Sequence, residues 1–195
     1  MILLPETHWW VKKTKTKGRG IFAKKIISKG TVIGDYIGTI VRTKDVDLTN
    51  EAKNMYLMYY HDQASILPDL SKPGIHLINH SCSPNAWVYT LKRHTLVFAL
   101  KDISPNEEIT IDYLIAPKSK FCNPCTHECK CGSIKCRKSF HLAEMEFEKW
   151  RTFQDATIKS DRRERIRYGS TLKLLSNYPK KISDNYIKSI PLDLK

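Results

Sequence analysis

Between His76 and Tyr113 the chain reads HLINHSCSPNAWVYTLKRHTLVFALKDISPNEEITIDY, and this stretch limits what the rest can be. It opens on a polar cluster, Asn79-His80-Ser81-Cys82-Ser83-Pro84-Asn85, set directly after the apolar pair Leu77-Ile78. A buried amide, imidazole or hydroxyl without a partner costs about 1–3 kcal/mol. The cluster is therefore either a surface turn, as Ser-Pro-Asn permits, or a site whose polar groups are held deliberately. Next, Ala86–Leu91 and Thr95–Leu100 form a β-hairpin across Lys92-Arg93-His94. After the turn Ser104-Pro105-Asn106, Glu108–Leu114 returns as a strand ending on Asp112-Tyr113.

The segments before this stretch have the same character. Trp9-Trp10-Val11 reads as a short strand, followed by a solvated lysine run. Gly18-Arg19-Gly20 is a glycine turn entering the strand Ile21-Phe22-Ala23, with backbone free to approach a ligand. Thr31–Val41 is β-branched and interrupted by Gly34 and Gly38, as a bent strand or a strand pair would be. Glu51–Tyr60 fits a short helix or an aromatic strand equally well. These short segments predict a mainly β domain ending near Ile115. Beyond it the pattern turns helical from His141, with Leu142, Met145, Trp150 and Phe153 close to one face. A second helix is expected after Ser160, its Arg162, Arg163, Arg165 and Arg167 forming a solvated or partner-binding basic face.

Five of the six cysteines fall between residues 122 and 136. Without a recognisable signal peptide, thiolate ligation of zinc explains such a cluster better than disulfides do. No apolar run approaches a membrane span, so a soluble, intracellular protein without membrane contact is expected. The net charge of +13 suits an acidic partner such as nucleic acid or nucleoprotein, or simply a lysine-rich surface.

Five blocks then fall into one order: Gly18-Arg19-Gly20-Ile21-Phe22-Ala23, Gly34-Asp35-Tyr36-Ile37-Gly38, Asn79 to Asn85, Glu107 to Tyr113, and Cys129-Lys130-Cys131-Gly132-Ser133-Ile134-Lys135-Cys136-Arg137. Together they resemble a SET-domain protein lysine methyltransferase with a post-SET zinc motif, over roughly residues 8–140. The resemblance implies a β fold of small sheets with knot-like C-terminal threading, followed by a zinc-bound post-SET segment and a helical extension. The implied boundaries are 1–117 for the SET domain (insert region about 42–75), 118–141 for the cysteine-rich segment and 142–195 for the basic extension.

It also implies S-adenosylmethionine as cofactor and a lysine-bearing protein, such as a histone, as substrate. The two would meet through a narrow channel. A free lysine titrates near 10.4, so presenting it neutral at pH 7 costs about 4–5 kcal/mol unless the site helps. A dry aromatic channel beside a sulfonium gives that help.

By resemblance, Tyr113 is the essential tyrosine at the transfer point, Tyr36 lines the lysine channel, and Ile111 influences the number of methyls added. Gly18, Arg19, Gly20, Tyr56, Asn79, His80 and Phe140 would hold the cofactor. Cys82, Cys129, Cys131 and Cys136 would bind zinc. The chain departs from the family pattern in three places. His76 stands where arginine is frequent. Ile111 replaces Phe or Tyr, leaving no hydroxyl to hold water, which makes di- or trimethylation accessible. Cys122-Asn123-Pro124-Cys125, with His127, adds donors that are either spare or replace some of the four cysteines. The competing readings are a catalytically inactive SET-like module and a zinc-stabilised nucleic-acid-binding protein using the basic surface. A monomer is expected, in the nucleus or on the chromosome of a eukaryote or in the cytoplasm of a prokaryote.

Overall fold

The computed structural model describes residues 1–46, 55–120 and 122–191. Among the described residues, ten short strands make four small sheets, and helices are confined to the C-terminal third and a few single turns. β1 (Trp9–Lys13) and β2 (Arg19–Ala23) form an antiparallel pair. The central sheet places β9 (His94–Ala99) between β3 (Val32–Asp35) and β8 (Ala86–Leu91). A third sheet has the order β4 (Thr39–Arg42), β6 (Ala64–Leu67), β5 (Met58–His61). The fourth is a two-residue parallel pair, β7 (Asn79–His80) beside β10 (Thr110–Ile111).

The expected hairpin is present. Its turn is two residues long, because Lys92 and Arg93 both adopt positive φ, the conformation that matches the twist of the flanking strands. Thr31–Val41 is two strands, and they belong to different sheets. Of Glu51–Tyr60, residues 51–54 lie outside the described residues; from Met58 the chain is strand.

β9 is buried along its whole length, and its alternation divides the interior. Val97 and Ala99 face one core with Ile21, Ile33, Ile40, Ile109 and Ile111. Leu96 and Phe98 face a second core closed by Leu142, Trp150, Ile182 and Ile187. The last two residues, with Trp150, come from the C-terminal third: α1 (Glu144–Asp161), α2 (Asp184–Ser189) and the segment between them. That third is laced into the sheets by backbone bonds. Val32 N–H donates to Lys180 O, Ile182 N–H to Gly30 O, and Ile40 N–H to Ser170 O.

Two expectations for this third change. Met145 is 77% exposed, and α1 buries Trp150, Gln154 and Ile158 instead. The arginine run is not a helical face. Arg162 takes the left-handed conformation and ends α1, and the single turn that follows directs Arg163 inward. Arg163 is fully buried, its guanidinium donating to His94 O at 2.5 Å and Tyr60 O at 3.3 Å above the Tyr60 ring. It therefore leaves the basic surface, to which Arg162, Arg165 and Arg167 still belong.

Candidate active site

The short parallel pair sets the floor of the site. Pairing Thr110 with Asn79 and Ile111 with His80 puts Asp112-Tyr113 alongside Ser81-Cys82, and Ser81 N–H donates to Ile111 O. Asn85 fixes this crossing with its side chain, donating to Glu108 O and Glu107 Oε1 and accepting from Thr110 N–H. Those bonds replace a strand ladder. The regular strand expected over Glu108–Leu114 is therefore only Thr110–Ile111.

His80 is buried at the centre. Its Nδ1 accepts the Tyr113 N–H at 3.2 Å, with Asp112 Oδ1 3.4 Å from the same nitrogen, and in the neutral tautomer that fits this bond Nε2 carries the proton. Nε2 lies 3.2 Å from Cys82 Sγ and donates to it. His80 is in this way a hydrogen-bond donor to a sulfur, and the polar cluster of the sequence is largely satisfied internally. Asn79 Nδ2 donates to Arg19 O and to Glu108 Oε1, whose other oxygen meets Lys17 Nζ at 2.6 Å. Gly20 is required here: a Cβ at that position would lie 2.6 Å from Glu108 Oε1 and 2.8 Å from Asn79 Nδ2.

Three phenols gather beside this floor. The Tyr113 hydroxyl donates to Ile78 O at 3.2 Å, and the Tyr36 hydroxyl donates to Tyr56 O at 2.5 Å. Burial raises the Tyr36 and Tyr113 pKa values well above the ordinary phenol range, and the neighbouring tyrosines push the same way. Both hydroxyls therefore stay protonated at any working pH. Tyr56 meets His76 edge-on, with 5.6 Å between ring centroids.

Above the floor lies a cavity of about 290 Å³, bounded by Lys17, Met55, Asn79, His80, Tyr113 and Phe140 among others. Residues 126–140 form its roof. Among the described residues they contain no helix or strand, so other forces position them. Phe140 packs on His80 (4.9 Å) and Tyr113 (5.5 Å). Arg137 grips Asp112 with two bonds of 2.7 Å, a bidentate tie between roof and floor.

The remaining positioning comes from sulfur. Cys82 Sγ is 3.7 Å from Cys129 Sγ, and Cys82 N–H points at Cys131 Sγ. Cys136 hydrogen-bonds the Cys129 and Cys131 side chains and its thiol donates to Cys129 O. Arg137 N–H donates to Cys82 Sγ and Lys138 N–H to Cys136 Sγ. At Cys131 burial alone would raise the thiol, but the N–H groups of Cys82 and Ser133 together with hydrogen bonds from the Cys129 and Cys136 side chains bring the pKa down to about 6. The donor atoms of His80, Cys82, Cys129 and Cys131 all lie within 4.8 Å of one another, with Cys136 hydrogen-bonded to two of them; a second group, Cys122, Cys125, His127 and His141, shares no member with these.

Asn79, His80, Tyr113 and Phe140 thus share the cavity with Cys129 and Cys131, while Cys82 lies beneath it. Tyr36 and Ile111 are buried in the core adjoining Tyr113 rather than on the cavity wall. Gly18, Arg19, Gly20 and Tyr56 do not line it; Thr16, Lys17 and Met55 stand there instead. Sequence reasoning passed over Glu108, Asp112, Arg137 and His141. The first three lie inside the blocks quoted above but were given no role, and His141 appeared only as a histidine downstream of C-x-x-C-x-H.

Residues 18–114 match the SET domain family. Histone-lysine N-methyltransferase TRX1 of Oryza sativa subsp. japonica is 31% identical over 147 residues, covering 69% of this chain and 14% of the relative. The "Histone-lysine N-methyltransferase, H3 lysine-9 specific" of Schizosaccharomyces pombe is 30% identical over 64% of this chain and 31% of its own length. Among solved structures, KRYPTONITE in complex with mCHH DNA, an H3(1-15) peptide and SAH aligns at a TM-score of 0.55 and 28% identity, over 67% of this chain and 29% of that one. The chain spans less than a third of the length of each.

Proposed function

The chain belongs to the SET-domain family, and from that premise we propose that it is a protein-lysine N-methyltransferase using S-adenosylmethionine, with a histone lysine as substrate and chromatin as its place of work. The observation that carries the reading is the position of Tyr113: its ring borders the cavity under Phe140, and its hydroxyl reaches toward the buried Tyr36–Tyr56 cluster.

When bound, S-adenosylmethionine supplies an electrophilic methyl on a sulfonium, which becomes a neutral thioether as the methyl passes to the lysine nitrogen. The cavity fits such a group: its size is close to the smaller ligand sites, and Phe140, His80 and Tyr113 offer aromatic surface to an adenine. Asn79, on the cavity wall, would hold the amino-acid end, backed by the 18–20 turn, where Gly20 leaves room for Asn79 Nδ2 and Glu108 Oε1. Tyr113 on the cavity wall and Tyr36 in the core behind it, both held neutral by burial, would give the lysine end low-dielectric surroundings in which an ammonium is disfavoured and the free amine favoured. Holding that amine in line with the methyl is the main source of rate. Ile111, buried next to Tyr113, carries no hydroxyl to hold a water there, which would leave di- or trimethylation accessible.

Cys82, Cys129, Cys131 and Cys136 fit zinc. The Cys82, Cys129 and Cys131 sulfurs are gathered with His80, Cys136 bonds two of them, and backbone N–H groups are aimed at Cys82, Cys131 and Cys136, as thiolates require. His80, donating through Nε2, would orient the Cys82 thiolate rather than bind the ion itself. Incubation of the protein with recombinant histones and labelled cofactor, followed by mass spectrometry, tests the reading. Labelled lysine with up to three methyls is expected. Monomethyl product alone after exhaustive reaction contradicts the role given to Ile111.

A further inference from the structure

We infer that Cys122, Cys125, His127 and His141 form a second zinc site, independent of the four-cysteine cluster. Their donor atoms all lie within 4.8 Å of one another. Cys122 Sγ is 3.3 Å from His127 Nδ1 and 3.4 Å from His141 Nε2, and Cys125 Sγ is 3.9 Å from His127 Nδ1. A tetrahedral ion with Zn–S of about 2.3 Å and Zn–N of about 2.0 Å sets its S–N edges at roughly 3.5 Å, so these separations are those of ligands around one centre.

A second observation points the same way. His141 Nδ1 donates to Ala116 O at 2.5 Å, which fixes the proton on that nitrogen and leaves the Nε2 lone pair directed at Cys122. Anchoring the far imidazole nitrogen on a carbonyl is how metal-binding histidines are held in tautomer and orientation. The three-residue spacing of Cys122 and Cys125 lets both sulfurs approach one ion, and two thiolates with two neutral imidazoles balance its charge. All four residues are half-buried, open enough for an ion to enter.

The site clamps three stretches that no sheet joins: the 116 loop, the 122–127 knuckle and His141. It also reaches the roof. His127 O accepts the Phe140 N–H at 2.9 Å, and Glu128 pairs with Ser139. An ion there fixes both limbs of the return that carries Phe140 over the cavity. Only this consequence rests on the methyltransferase reading; the site itself does not.

Metal analysis and X-ray absorption on the untreated full chain read both clusters without mutation. Two zinc ions per chain are expected; with the other held by Cys82, Cys129, Cys131 and Cys136, the average first shell is three sulfurs to one nitrogen. In the double variant Cys122→Ser, Cys125→Ser the count falls to one and the shell becomes all sulfur. One zinc with an all-sulfur shell in the unmutated protein overturns the inference, as does a Cys122–Cys125 disulfide found by intact mass. One zinc with equal sulfur and nitrogen upholds it and removes the four-cysteine site instead. If the serine variant does not fold, the unmutated spectrum decides alone.

Discussion

Floor and roof of the cavity are built by different forces. The floor, β7 with residues 110–113, stands on the isoleucine core around Ile21, Ile109 and Ile111, and its polar groups are closed by Asn85, His80 and backbone. The roof, residues 126–140, has no sheet or helix among its described residues and leans on sulfur clusters, the Arg137–Asp112 tie and Phe140. Apolar burial therefore sets the floor before any ligand arrives, whereas under the proposed zinc binding the roof would take its shape from ligation. In the proposed enzyme this couples metal to cofactor binding while leaving the β core able to stand alone.

Four perturbations sharpen that contrast. Ile109→Ala, in the fully buried floor, should cost about 2–5 kcal/mol in denaturant unfolding, with zinc content of the folded fraction unchanged. Stripping metal with a strong chelator should do the reverse. Cofactor affinity by calorimetry should fall on the order of 100-fold, about 2.7 kcal/mol, while the far-ultraviolet β signal persists. Loss of the β signal together with the metal would break the comparison. Arg137→Lys keeps the charge but loses the fork on Asp112, and roughly tenfold weaker cofactor binding is expected. Phe140→Ala removes the ring packed on His80 and Tyr113, and should weaken binding a few-fold, about 1 kcal/mol, with little change in melting temperature.

The same division governs what could be read from the sequence. The hairpin, the glycine turn and the N-H-S-C and D-Y blocks were legible, because alternation, turn chemistry and polar clustering are local. The length of β10 was not: whether Thr110 bonds a strand or the Asn85 side chain depends on residues 25 positions apart. Arg163 was misread for a similar reason. Its neighbours in sequence are exposed arginines, and only the left-handed turn at Arg162 directs it under Tyr60 and His94. His141 lies far along the chain from Cys122, and its role emerges only once the Ile115–His141 bridge sets it beside the start of the segment that carries Cys122.

The central claim concerns one hydroxyl. Methyl transfer from S-adenosylmethionine to recombinant histone H3, followed by intact mass with wild type and Tyr113→Phe side by side, tests it most directly. Wild type should add methyls to a lysine, and the variant should bind cofactor comparably yet react on the order of 100-fold or more slowly. A wild-type protein that binds cofactor but methylates no histone, or a phenylalanine variant working at full rate, would contradict the account.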